Sequence, residues 1–91
     1  MPRPCARRRI RGNPGSLYFK PTGIRMRDLK EIVLELDEFE AVRLVDSLEL
    51  SQEEAGRKMN VSQSTLSRIL KSGRGKIADA VVNGKAIRVE K

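Results

Sequence analysis

Gln52-Glu53-Glu54-Ala55-Gly56-Arg57-Lys58-Met59-Asn60-Val61-Ser62-Gln63-Ser64-Thr65-Leu66-Ser67-Arg68-Ile69-Leu70 is the stretch whose spacing decides the fold. Ser51, with Glu54 three residues on, is a capping box, so a helix starts at Gln52 and makes about two turns to Met59. Asn60 stops it, because asparagine tolerates the left-handed conformation that a tight turn requires. Val61 is the apolar residue buried by that turn, and Ser62 is the N-cap of a helix beginning at Gln63. Where the two helices cross a small residue is needed, and Ala55 or Gly56 supplies it. With Leu66 and Ile69 turned inward, every requirement of a helix-turn-helix is met.

The outward face of the third helix then carries the chemistry. It holds Gln63, Ser64, Ser67, Arg68 and Lys71, without a carboxylate, whereas the solvated face of a plain helical hairpin mixes Glu with Lys. In the major groove a glutamine such as Gln63 can bond adenine N6 and N7, an arginine such as Arg68 can bond guanine O6 and N7, and Ser64 and Ser67 suit bases or phosphates. Ser62 and Thr65 complete the expected contact set, Thr65 as a phosphate support or an edge-packing residue. Lys71, Arg74 and Lys76 lie further along, in reach of the backbone, and the first turn of the Ser51-capped helix can offer N–H groups to a phosphate.

Working outward, Leu17-Tyr18-Phe19-Lys20 before Pro21-Thr22-Gly23 forms a short extended segment whose two aromatics are expected to pack inward. Ile32 to Leu36 favours a strand. Asp37, with Glu40 three residues on, predicts a helix from Glu38 to Leu48 with Phe39, Val42, Val45 and Leu48 on its buried face. The third helix is expected to reach about Val82 with Leu66, Ile69, Leu70, Gly73, Ile77, Ala80 and Val81 in one stripe, bent or broken near Gly73 and Gly75. Asn83-Gly84 ends it, and Ala86 to Glu90 is a strand whose partner is Ile32–Leu36, in the same chain or exchanged with a second one.

Charge is segregated along the 91 residues. Nine Lys or Arg and one Asp fall in residues 1–30, nine acids and one Arg in 31–55, and nine bases and two acids in 56–91. Two basic thirds around an acidic middle imply one face for a polyanion and another turned away from it. Residues 1–17 read as a basic flexible arm in which Arg3, Arg7, Arg8, Arg9 and Arg11 stand among prolines and glycines, suited to a minor groove, and residues 18–91 read as the DNA-binding domain.

Composition excludes other classes. With no His, a single Cys5 on the arm, and carboxylates at caps or on exposed faces, the chain is expected not to be an enzyme and to need no cofactor or metal. No apolar run approaches membrane-spanning length, so a cytoplasmic, nucleoid-associated protein is expected. A chain this short buries a thin core, which argues for a homodimer.

The order of elements also carries a resemblance. Tyr18-Phe19-Lys20-Pro21 with Gly23-Ile24, Leu36-Asp37-Glu38-Phe39-Glu40-Ala41-Val42-Arg43-Leu44, Gln52 to Leu70, and Val82-Asn83-Gly84-Lys85-Ala86-Ile87 together resemble domain of unknown function 134, a family of small bacterial and archaeal proteins. The resemblance implies a mainly α fold whose helix-turn-helix is similar to region 4 of sigma-70 factors, in the winged-helix-like superfamily, flanked by short N- and C-terminal strands. It implies the DNA-binding class. The function expected is that of a transcriptional regulator on double-stranded DNA; the arginine-rich arm leaves RNA binding as an alternative, and the acidic middle third with the basic helix leaves a sigma-like adaptor docking on RNA polymerase. Some members continue into a second domain similar to iron–molybdenum cofactor proteins; no metal role is carried over from them.

Overall fold

The computed structural model describes Ile10 and residues 17–90. The arm arginines Arg3, Arg7, Arg8, Arg9 and Arg11, and Cys5, lie outside the described residues. The chain is mainly helical with a small three-stranded sheet: β1 (Tyr18–Phe19), a 3₁₀ turn (Met26–Asp28), β2 (Glu31–Leu34), α1 (Leu36–Val42), a π-helical turn (Arg43–Ser47), α2 (Gln52–Met59), α3 (Gln63–Asn83) and β3 (Ala86–Val89).

The strand expected after Asn83-Gly84 finds its expected partner within the same chain. Strand β3 runs parallel to β2 with Ile32 opposite Ile87 and Leu34 opposite Val89. Tyr18 and Phe19 add β1 on the other side of β3, antiparallel, giving the order β1-β3-β2. A third strand and the helices behind it supply what a lone pair of strands lacks in water.

Helix α1 begins earlier than the Asp37 reading predicts. Its N-cap is Glu35, whose N–H donates to Glu38 Oε1 at 2.9 Å, because the buried Glu38 carboxylate rather than Glu40 turns back to the start of the helix. The helix is not continuous to Leu48 either. After Val42 the ladder widens by one residue, with the Leu48 N–H donating to the Arg43 carbonyl, and this rotates Leu48 out to solvent.

The core lies where α1, α2 and α3 meet, around Ala41, Leu44, Ala55, Met59, Leu66, Ile69 and Leu70, with Val42, Val45, Leu50 and Val61 packed against it. Two inward expectations are corrected. Val81 is 74% exposed because it falls one position past Ala80, which takes the buried place on that turn, and Phe19 is 52% exposed on the short edge strand.

Of the bend or break expected near Gly73 and Gly75 the break does not occur: α3 runs unbroken through both glycines, neither of which interrupts the backbone ladder, and the two stand in opposite surroundings. At Gly73 a Cβ would lie 3.2 Å from Glu38 Cβ and 3.3 Å from both the Glu38 carbonyl and Val42 Cγ2, so glycine there lets α3 cross close to α1. At Gly75 a Cβ would meet nothing within 4 Å. Gly75→Ala is therefore expected to raise stability by about 0.5–1 kcal/mol through helix propensity and a more restricted unfolded chain, which urea titration measures; an unchanged midpoint would contradict it. Gly84 closes the helix in the left-handed conformation, φ 66° and ψ 40°.

Candidate nucleic-acid interface

Helices α2 and α3 are joined as the sequence predicts. Ser51 Oγ accepts the Glu54 N–H at 3.1 Å, and Asn60 takes φ 61° and ψ 45°. The Val61 N–H then donates to the Gly56 carbonyl at 2.9 Å. Between Ala55 and Gly56 the geometry distinguishes two roles: Ala55 is wholly buried in the core, while a Cβ on Gly56 would come within 3.1 Å of the Val61 carbonyl. A side chain at Gly56 would thus crowd the turn backbone where α2 passes it, and α3 starts immediately beyond that turn.

Ser62 caps α3, its Oγ accepting the Thr65 N–H at 3.1 Å. The same oxygen lies 3.2 Å from Ser64 Oγ and donates to Thr65 Oγ1 at 3.0 Å. Arg68 Nη2 reaches back to Thr65 Oγ1 at 3.5 Å. Gln63, Ser64, Ser67, Arg68 and Lys71 are all exposed, and Thr65 is half-buried. These five residues form one face, because they recur at helical spacing opposite Leu66, Ile69 and Leu70. Among the described residues neither Arg68 nor Lys71 is in an ion pair.

The second half of the helix is different. Arg74 is exposed but clasped by Asp46 from the π turn, with Nε to Oδ2 at 3.0 Å and Nη2 to Oδ1 at 2.7 Å; the paired guanidinium holds the Asp46 carboxyl below its ordinary range. Lys76 turns into the protein, where its ammonium donates to Glu38 Oε1 at 2.8 Å and to the Val33 carbonyl at 2.9 Å. Of the three cations expected to reach a nucleic-acid backbone, Lys71 alone has its head group both exposed and outside an ion pair among the described residues.

Sequence reasoning placed the acids at caps or on exposed faces and so missed Glu38 and Glu40, which are 6% and 1% exposed. Glu40 receives both Nε and Nη2 of Arg43 at 2.9 Å. The available signal was Arg43, the one base in an acidic third, standing three residues after Glu40. Nothing comparable in the sequence joins Glu38 to Lys76, which are 38 residues apart. Among the described residues no group of three His, Cys, Asp or Glu could hold a metal ion, and no helix is long and apolar enough to cross a membrane.

The fold and this face together define a small, mainly helical domain that carries a carboxylate-free polar surface on its longest helix. The chain belongs to the family described as Protein of unknown function DUF134, which matches residues 1–91. It is similar to a UPF0251 protein of Moorella thermoacetica, 53% identical over 90 residues, which are 99% of this chain and 60% of that protein. UPF0251 proteins of Caldanaerobacter subterraneus (53% identical) and Desulfosudis oleivorans (48% identical) are matched over 99% of this chain and over 76% and 65% of their own lengths. The chain thus spans between three fifths and about three quarters of the length of these relatives. No solved structure matches it.

Proposed function

We propose that this chain is a sequence-specific double-stranded DNA-binding protein, a transcriptional regulator whose α2–turn–α3 unit is a helix-turn-helix of the sigma-70 region 4-like type. The observation that carries the reading is the outward face of α3. Gln63, Ser64, Ser67, Arg68 and Lys71 are exposed together, free of carboxylates, at the start of a helix fixed to α2 by the Asn60 turn. In this reading α3 enters the major groove, with Arg68 on guanine and Gln63 on adenine. Lys71 reaches a phosphate and the arginines of residues 1–17 add sequence-independent attraction. Arg74 and Lys76, engaged with Asp46 and Glu38, support the helix rather than the DNA.

A homodimer completes the proposal. Val82 at 78%, Val81 at 74% and Phe19 at 52% exposure leave apolar surface uncovered on a single chain, which supports a second copy as partner.

The test is selection from a random duplex library at near-physiological salt. An enriched inverted repeat with half-sites about one helical turn apart is the expected outcome. The combined Gln63→Ala and Arg68→Ala variant is expected to lose that preference while staying folded, since both side chains are exposed. A variant that selects the parent's motif at the parent's affinity would remove α3 from the reading role. Enrichment of no sequence, with binding that weakens steeply in salt on every duplex alike, would leave only phosphate attraction and overturn the proposal.

A further inference from the structure

We propose that the hydroxyls of Ser62, Ser64 and Thr65 form a hydrogen-bond chain of fixed direction, which makes Ser64 a reader of base amino groups and Thr65 the positioning residue for Arg68. The inference rests on the DNA-reading role proposed above and specifies which base chemistry this face selects.

A serine hydroxyl has one proton and two lone pairs. Ser62 Oγ donates its proton to Thr65 Oγ1 at 3.0 Å and accepts the Thr65 N–H at 3.1 Å. In its 3.2 Å contact with Ser64 it therefore has only a lone pair to offer, and Ser64 is the donor. Ser62 is then fully engaged within the helix start and is withdrawn from the DNA-contact set that the sequence suggests. Ser64, its proton committed to Ser62, turns only acceptor capacity outward. The hydrogen-bond donors of the major groove are the amino groups at adenine N6 and cytosine N4, whereas guanine O6 and N7 and thymine O4 are acceptors that Ser64 serves only by giving up its bond to Ser62.

The other end of the chain acts on Arg68. Thr65 Oγ1 accepts from Ser62 and also from Arg68 Nη2, at 3.5 Å. Long helical side chains lean toward the N-terminus of their own helix, and this long contact lies along that lean. A guanidinium drawn toward Thr65 lies on the same turn of α3 as Ser64, with its other N–H groups outside any ion pair among the described residues. An arginine held in its reading direction loses less freedom on binding than one that must be collected from solvent. An amino-bearing base beside a guanine is the pair this geometry selects.

The test uses the full chain and the duplex that it enriches, resynthesised with single bases lacking the amino group: purine for adenine, 2-pyrimidinone for cytosine. At one position this deletion is expected to weaken wild-type binding by about tenfold while leaving Ser64→Ala binding unaffected. Thr65→Val, which keeps the shape and loses the hydroxyl, is expected to lower the preference for the guanine by about threefold, with Thr65→Ser restoring it. The quantity read is the ratio of affinities for the enriched duplex and for the same duplex with that guanine replaced; a merely structural role would weaken both alike and leave the ratio unchanged. If wild type enriches a motif that Ser64→Ala and Thr65→Val select unchanged, this inference fails and the DNA-reading role stands. If wild type enriches no motif, the DNA-reading role fails and takes this inference with it.

Discussion

Lys76→Met is expected to cost the fold about 2–3 kcal/mol at neutral pH and to lose much of that penalty in acid. Methionine keeps an unbranched stem of similar length and removes only the ammonium. What it leaves behind is Glu38, whose side chain is 8% exposed and which then has only the Ser72 hydroxyl and the Glu35 N–H for company. Stranding one partner of a fully buried ion pair costs about 3–5 kcal/mol, and the expectation is set lower because the Lys76 side chain is 32% exposed and partly screened by water. The Val33 carbonyl also loses its donor, so the outer side of β2 loosens with the pair.

The pH dependence gives this prediction its sign. Burial pushes the Glu38 carboxyl up, but hydrogen bonds from Lys76, Ser72 and the Glu35 N–H outweigh it, so the group titrates below its ordinary value in the folded chain. A depressed folded pKa stabilises fully above the unfolded carboxyl's value of about 4.3 and loses that contribution as pH falls through the folded value. Without Lys76 the balance shifts toward burial, the carboxyl protonates more readily, and protonation removes the stranded charge. Urea titrations of parent and variant between neutral pH and about pH 3 should therefore converge on the acid side. A gap that stays constant over that range would mean that Lys76 acts through packing alone.

This pair also marks where the sequence ceases to be legible. Local chemistry was readable: Ser51 and Ser62 as caps, Asn60 as the left-handed turn and the limits of α2 all follow from residues within one or two turns of each other. Strand pairing between β2 and β3 was readable as well, because two short β-branched segments had no other use. One local reading failed, at the start of α1, where Glu35 and Glu38 rather than Asp37 and Glu40 form the cap; the other failures were long-range. Glu38 and Glu40 look like ordinary solvated acids until Lys76 and Arg43 are placed beside them. Lys76 looked like a phosphate contact by its charge and position, yet its head group goes to Glu38 and Val33. The π turn was invisible because one residue's widening of a helical ladder leaves no compositional trace, although it is what moves Leu48 outward and presents Asp46 to Arg74. The exposed face at the start of α3, from Gln63 to Lys71, by contrast, was legible, since it depends only on helical spacing and on the core residues opposite.

Gly73→Leu is expected to destabilise the chain by about 3 kcal/mol, although leucine is much the better helix former. Propensity alone would favour the change by about 1 kcal/mol, as it does at Gly75 two residues later. At Gly73, however, the first added carbon already meets Glu38 Cβ at 3.2 Å and the Glu38 carbonyl at 3.3 Å, and a backbone carbonyl in α1 cannot rotate away. Everything beyond Cβ must then push α1 from α3. Because Glu38 is on that same contact, separation of the helices also lengthens its bonds to Lys76 and Ser72, so overpacking and loss of the buried pair act together. Gly73→Ala tests the same geometry more gently, its gain in propensity set against the crowding. The informative comparison is between neighbours: thermal unfolding should place Gly75→Ala above the parent, Gly73→Ala below Gly75→Ala, and Gly73→Leu far below all three. Equal gains at both alanine variants would mean that α1 yields freely at the crossing, and that the close approach of the two helices is not what glycine at position 73 secures.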